Sequence, residues 1–300
     1  MARPLQFEAP TALEYFASLV ADDASLSLTE AAVAIGQDDD PGLDAQSVLA
    51  EIDQLALRLK QRVPADAVPL QRLRRLNHFF FNDLGFAGNV NDYYDPGNSH
   101  LGTVLRTRRG IPITLAVLYI ELATQIGLQA RGVSFPGHFL VKLHMPQGEV
   151  VIDPFTGHSL SRDELDDLLM PYRQSHGLVG DFDVPLGLFL QAAPARDVLA
   201  RILRNLKEIH RSGEDWPRLL QVLNRLVVLL PDAWEERRPR PGLRRTRHER
   251  RSAARPGPVP GPWAGCRGPS GDPRPRRPAA QRRTAPPALT HRSGGEAPPP

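Results

Sequence analysis

The stretch from Arg109 to Phe155, RGIPITLAVLYIELATQIGLQARGVSFPGHFLVKLHMPQGEVVIDPF, constrains this chain more than any other. Pro112 suits the first position of a helix, where its missing N–H and fixed φ cost nothing. Leu115, Ala116, Leu118, Tyr119, Leu122, Ala123 and Ile126 then supply a broad apolar face, and Gly127 fits the residue just past the helix end. A strand follows, with Phe139, Val141 and Leu143 on one side and His138, Leu140, Lys142 and His144 on the other. Gly137 before it lets another backbone approach closely. A short apolar strand, Val150 to Ile152, ends at Asp153 before a proline turn. His138 and Asp153 can therefore meet at the ends of adjoining strands, as a base and its orienting carboxylate must. Cys-His-Asp chemistry would also need a thiol at the start of the helix, where the helix dipole favours a thiolate. None stands there: Cys266 is the only cysteine, far down the chain.

The segments before this stretch read as helices. Residues 11–20 place Leu13, Phe16, Leu19 and Val20 on one face, Leu28 opens a second helix, and Asp44 caps a third that carries Val48, Leu49, Ile52, Leu55 and Leu59. Asp38 to Gly42 (DDDPG) reads as a solvated acidic turn, since no further ligands follow at calcium-loop spacing. Residues 68–84 read as one more helix, with Leu70, Leu73, Leu76, Phe79, Phe80 and Leu84 in a stripe and the Phe79–Phe81 run anchoring the core. From Gly85 to His100 the Gly, Asn, Asp and Pro residues dictate irregular backbone, with Tyr93 and Tyr94 inside it. A long packed loop of this kind serves either as a wall of a binding site or as a structural latch.

Beyond the central stretch, Ser161 and Glu164 form a capping-box start for a helix to about Met170, and residues 172–193 give no clear pattern. Two amphipathic helices return from Ala195 to Gly213 and from Asp215 to Pro231. A third, opened by PDAWEE, meets Pro239 and Pro241 at once and stops. The rhythm resembles that of a tetratricopeptide repeat.

Composition breaks near residue 237. Residues 238–300 hold 15 Arg, no Lys and 3 acidic residues, a charge of +12, with 15 of the 30 prolines. Residues 1–237 carry 22 basic against 31 acidic residues, or −9, so the sequence pI of about 9.3 belongs to the tail. The tail reads as disordered. It has three readings: solvated sequence, a basic arm for nucleic acid or a membrane surface, or a GC-rich gene read out of frame, the one its composition favours. One cysteine rules out disulfide frameworks and Cys-rich zinc sites by count. No apolar run is long enough to span a membrane, and the start MARPLQFEAP lacks the apolar core of a secretory signal. A cytoplasmic location is the expectation. His138, His144, Asp153 and His158 do not form a metal site, because histidines at i and i+6 of one strand stand ~20 Å apart. His78 and His210 read as ordinary.

Four motifs in order carry a resemblance. FNDLGFAGNVNDYYDPGNSHL, RGIPITL, FPGHFLVKL and IDPF together are similar to the SirB-type transglutaminase-like family, bacterial proteins with that domain in front of tetratricopeptide-like helices. GIPITLA matches the transglutaminase pattern Gly-x-Cys-x-x-x-Ala, and Gly127, Ala130 and Arg131 match the Gly-x-x-Ala-Arg that follows. The resemblance covers roughly residues 10–237. It places the nucleophile at Pro112, which offers none, so transglutaminase or thiol-protease activity does not carry over. Thr114 lies two helical positions on, facing elsewhere, and reads as a hydrogen-bonding residue of the first turn.

The expected fold is α+β: a transglutaminase/papain-like core with N-terminal helices and a C-terminal tetratricopeptide-like helical segment. The expected divisions are residues 1–64, 65–193, 194–237 and the tail 238–300. The expected function is a non-catalytic module that binds or regulates a protein or peptide partner. Tyr93, Tyr94, Asn98 and Thr114 are the binding candidates, and His138 and Asp153 are either a fold-stabilising pair or a retained binding site. The alternative is an atypical hydrolase or acyl transferase in which the His138/Asp153 dyad activates water. No cofactor or metal is expected, and no nucleic acid or membrane partner for the folded part.

Overall fold

Side-chain oxygens start each of the first three helices: α1 (Ala12–Leu19), α2 (Leu28–Ile35) and α3 (Ala45–Lys60). Thr11, Ser27 and Asp44 each accept a hydrogen bond from the first turn, and Glu14 returns one to the Thr11 N–H at 2.9 Å. The fold was obtained as a computed structural model, which describes residues 10–178 and 184–232. Readings of the tail at 238–300 fall outside those residues. α2 is apolar on nearly every side and is buried from Ala31 to Ile35, as a helix without a polar face must be.

α4 (Pro69–Asn77) is shorter than the helix read over 68–84. From His78 to Asp83 the backbone widens into a π-helical turn, closed by the Leu84 N–H on Phe79 O at 2.9 Å. The cause is the aromatic run: an α-helix turns consecutive residues to different sides, while the wider turn lets Phe79 and Phe80 both go inside. Phe80 stacks on Phe86 at 4.5 Å and meets Tyr119 edge-on at 5.4 Å. After it, β1 (Ala87–Gly88) pairs in parallel with β2 (Arg109–Gly110), bracketing a 3₁₀ turn at Pro96–Ser99 and α5 (Leu101–Thr107).

α6 (Pro112–Gln125) is the centre of the molecule, with ten of its fourteen residues buried. Gly127 follows it at φ 77°, the left-handed exit that glycine permits. The chain then makes an antiparallel meander of β3 (Gln129–Val133), β4 (Leu140–Met145), β5 (Gly148–Ile152) and β6 (Ser159–Leu160). Ala130, Val141, Leu143 and Ile152 join the main core with α6. Val133, Leu140 and Val151 instead pack on Leu165 and Leu169 of α7 (Arg162–Ser175) and on Leu186 of α8 (Leu186–Phe189). α7 begins on the expected Ser161–Glu164 capping box but runs through Pro171, five residues past Met170. The observed architecture is thus mixed helix and sheet, as the sequence indicated.

α9 (Ala195–Ser212) and α10 (Trp216–Leu229) turn back on one another and pack against α2 and α1. Two arginines fasten them there. Arg196 donates to Val20 O at 2.7 Å, to Asp23 at 2.7 Å and to Leu229 O at 2.5 Å. Arg225, fully buried, donates to both carboxylate oxygens of Asp38 at 2.5 and 2.8 Å and lies 4.8 Å above the Phe16 ring. The acidic turn after α2 is solvated only in part: Asp40 to Gly42 are exposed, but Asp38 holds Arg225, and Asp39 holds Arg218 at 2.6 Å and His100 at 3.4 Å. The pairing partners lie 187 residues away in sequence, beyond what local pattern can reveal.

Stripping a buried ion of its partner costs about 3–5 kcal/mol, whereas removing the charge itself costs less. Asp38→Asn is accordingly expected to lower urea-unfolding stability by about 3 kcal/mol, and Arg225→Met by clearly less. Equal losses in the two variants would count against a desolvated charge at Arg225.

Candidate functional site

The loop from Asn89 to His100 is held by its own side chains. Asn98, buried, donates to Asp92 O at 2.7 Å and Tyr93 O at 3.2 Å, and accepts from Asn89 at 3.0 Å. Its carbonyl lies 2.7 Å from the Thr114 hydroxyl, which also reaches Ile111 O at 3.0 Å. Asn98 and Thr114 thus join the loop to the first turn of α6, with their hydrogen-bonding groups turned inward. Of the loop's two expected roles, this part performs the latch. Tyr93 and Tyr94 leave it in the other direction, edge-on to each other at 5.4 Å, with Tyr93 half-buried and Tyr94 exposed.

Pro112 stands at the first helical position of α6, buried, after an extended Ile111. The place where a helix dipole could favour an anion holds a pyrrolidine ring with no N–H and no nucleophile.

His138 closes the turn after β3. Gly137 takes φ 72°, and the His138 N–H donates to Phe135 O at 3.0 Å. The ring is 7% exposed. Burial holds its pKa below the ordinary histidine value, the charge of Arg201 adds to this, and Asp153 opposes it. At neutral pH the imidazole is therefore neutral. Asp153 follows β5, whose Ile152 is in register with Val141, so the two residues do reach neighbouring strand ends. The carboxylate, however, binds its own turn. One oxygen accepts from the Phe155 N–H at 2.9 Å and the other from the Thr156 hydroxyl at 2.8 Å, while the Asp153 carbonyl accepts from Gly157 N–H at 2.8 Å. Asp153 acts on His138 through its charge and on the DPFTG turn through hydrogen bonds.

Glycines bring the remaining walls together. A Cβ on Gly88 would lie 2.1 Å from the Phe155 ring, and its N–H donates to Phe155 O at 3.0 Å, so β1 clamps the Asp153 turn. A Cβ on Gly132 would lie 2.8 Å from Phe139, so the end of this ring closes directly on β3. Above Phe139 sits the guanidinium of Arg201 from α9, 5.5 Å from the ring centroid. Tyr93 acts on it electrostatically, and the loop's 3₁₀ turn packs on the same helix. Tyr93 and Phe155 lie with ring centroids 6.3 Å apart, His138 and Asp153 stand at neighbouring strand ends, and Arg201 covers Phe139 just after His138. Sequence reasoning missed Arg201, because α9 reads only as an amphipathic stripe; its one signal is a basic residue between Ala200 and the core residues Ile202 and Leu203. Tyr94 stands at the rim. His144 and His158 are exposed, and among the described residues no cluster of three or more His, Cys, Asp or Glu side chains could hold a metal. No described helix is long and apolar enough to cross a membrane.

Comparison with known proteins shows what the chain is similar to. The family model for the transglutaminase-like superfamily matches residues 46–204. A UPF0162 protein of Xylella fastidiosa (strain 9a5c) is 38% identical over 235 residues, 78% of this chain and 82% of its own. A UPF0162 protein of Pseudomonas aeruginosa is 29% identical over 223 residues, 73% of this chain and 78% of its own. Human F-box only protein 21 is 40% identical over 72 residues, 24% of this chain and 12% of that protein. No solved structure matches.

Two buried histidines make the fold sensitive to acid. His138 and His100 both titrate below their ordinary 6.5, each chiefly through burial. His100 also faces Asp38, Asp39 and Asp95, which favour its charge, and His210, which opposes it. As pH falls through 6.5 the unfolded chain takes up protons that the folded chain refuses, so stability present above that value is lost below it. Thermal melts should drop between about pH 7.5 and about pH 5.5, and the drop should shrink in His138→Gln and in His100→Gln. An undiminished drop in both variants would refute this assignment.

Proposed function

We propose, for a chain that belongs to the transglutaminase-like superfamily and carries proline at its nucleophile position, a role in binding or regulating a protein or peptide rather than in cleaving bonds. One observation carries the reading. Pro112 occupies the slot that the resemblance assigns to the attacking thiol, and Thr114, the hydroxyl nearest it in sequence, spends its hydrogen bonds on Asn98 and Ile111 carbonyls. In support of it, Tyr94 stands exposed, edge-on to the half-buried Tyr93, whose ring lies 6.3 Å from that of Phe155. Tyrosines present large contact areas with few rotors to freeze, which suits them to holding an extended peptide.

A second reading has one observation in its favour. His138 is kept neutral, the form a general base requires, and Asp153 lies close enough to stabilise the imidazolium that would form. In that reading the dyad activates water on an acyl substrate. The hydrogen bonds of Asp153 to Phe155 and Thr156 weigh against it, since an orienting carboxylate would direct them at the imidazole.

The two readings part in one experiment. Full-length protein and His138→Ala are assayed against amide, ester and thioester substrates; the binding reading expects background rates from both, and turnover lost in His138→Ala would establish the hydrolase. In parallel, a peptide library is selected on the full-length protein. Selected peptides should lose about 2 kcal/mol of affinity, some 30-fold, on Tyr94→Ala, as they would on loss of an aromatic hot spot.

A further inference from the structure

Residues 57–83, from the last turn of α3 through α4 to the end of the π-helical turn, run against the charge of the protein around them. They hold six Lys and Arg against two Asp, or +4. Residues 1–237 carry −9, so the others in that span carry −9 less +4, or −13. Asp83 is already taken by Arg62 and by His78, the latter at 3.2 Å, and Asp66 is exposed in the turn between the helices. Arg58, Arg74 and Arg75 are exposed and enter no ion pair among the described residues. The same surface exposes carbon: Leu57 and Val68 are each 56% exposed and Leu70 is 46% exposed. Leu70 stands four residues before Arg74, on the same side of α4. Both ends of the surface are tied down. Arg72 donates to Ala67 O at 2.8 Å and to Ile126 O at 3.0 Å, and Lys60 donates to the neighbouring Gln125 at 3.1 Å. At the other end the guanidinium groups of Arg58 and Arg62 lie 5.9 and 4.9 Å from the Phe79 ring centroid. A helix dipole favours cations in the last turns of α3 and α4, but it gives no reason for aliphatic side chains left in water among them.

We propose that this surface of α3 and α4 docks a short acidic segment of a partner protein, its carboxylates meeting Arg74 and Arg75 and its apolar residues covering Val68 and Leu70. The inference goes beyond the binding function proposed above, since it names a surface apart from the Tyr94 loop and the chemistry of its partner. Charge decides among the occupants. A second copy paired about a two-fold axis would set this basic surface against itself, and the +12 of residues 238–300 is repelled likewise. A nucleic acid or an anionic membrane extends past the patch, over surface that belongs to the −13, and Leu and Val give bases nothing to stack on. A short acidic segment ends where the patch ends. Guanidinium groups grip its carboxylates in two-point forks, and the aliphatic side chains between them are desolvated by its apolar residues.

Fluorescence anisotropy on the full-length protein tests this with labelled, end-blocked peptides of about twelve residues: one of Glu and Leu, its Gln/Leu counterpart and its Glu/Ser counterpart. The Glu/Leu peptide should bind saturably, and each counterpart about tenfold more weakly. Arg74→Gln/Arg75→Gln should weaken the Glu/Leu peptide about tenfold, and Leu70→Ser should weaken it as well. These variants keep residues 238–300, so capture by that basic segment would show as affinity unchanged in the double variant. That result, equal binding of the Glu/Ser peptide, or no saturable binding would overturn the proposal. A thymidine oligonucleotide and phosphatidylglycerol-containing vesicles are measured beside the peptides; either one binding more tightly, with the binding lost in the double variant, would reassign the surface and overturn it too. Melting supplies the second readout. Exposed charges contribute little, so Arg74→Gln/Arg75→Gln should melt within about 3 °C of wild type. A larger drop would make these arginines helix-end anchors and count against a docking role. Tyr94→Ala should leave the Glu/Leu affinity unchanged; affinity lost there instead would put the peptide on the loop, ending this proposal and leaving the binding function standing.

Discussion

α6 has almost no polar surface to give to water, and the rest of the fold is placed by the need to cover it. From Pro112 to Tyr119 every residue is buried. α3 and α4 lie along it, the β3–β4 hairpin lies across it, and α2 and α9 close over it. Burying an aliphatic or aromatic side chain is worth about 1.5–3 kcal/mol, and here that term is concentrated in one element. A helix in this position presents its first turn to the inside of the protein. The few polar groups there need partners, and Asn98 and Thr114 supply them to one another.

That requirement shapes the site. The same loop that satisfies the first turn of α6 packs Tyr93 against the core and leaves Tyr94 exposed. Asp153 is drawn the same way: by bonding the amide of Phe155 it fixes the turn that sets this ring under Gly88. Asp153 and Thr114 spend these hydrogen bonds on the DPFTG turn and on the loop before α6. The imidazole stays neutral under burial, and the guanidinium of α9 lies over the Phe139 ring.

The ends of the described chain are joined by a different force. α9 and α10 pack on the N-terminal helices through apolar faces, yet their alignment depends on Arg196 and Arg225, whose partners Asp23 and Asp38 lie in short turns. Buried ion pairs of this kind are a costly way to gain stability but a selective way to fix register. His100 lies in the same polar seam, its pKa held below the ordinary value chiefly by burial.

Much of this was legible beforehand. Helix starts at Thr11, Asp44, Pro112, Ser161 and Asp215 follow from local rules, because a cap satisfies amides three residues away and needs no distant help. The alternation of β4 and the left-handed exit at Gly127 are likewise local. The missing nucleophile at position 112 is a property of the residue itself, so no tertiary structure could restore it. What the sequence could not disclose were meetings between remote segments. The π-helical turn at 78–83 depends on which rings the core has room for, and the passage of α7 through Pro171 on which of its faces is covered. The pairing of Asp38 with Arg225 joins residues whose spacing carries no period. Arg201 is the sharpest case: in the sequence it is one basic residue on an amphipathic helix, and only the tertiary packing of α9 sets it over the Phe139 ring. Periodicity reports which face of an element is buried; it does not report what that face is buried against, and charge without a partner is defined only by its surroundings.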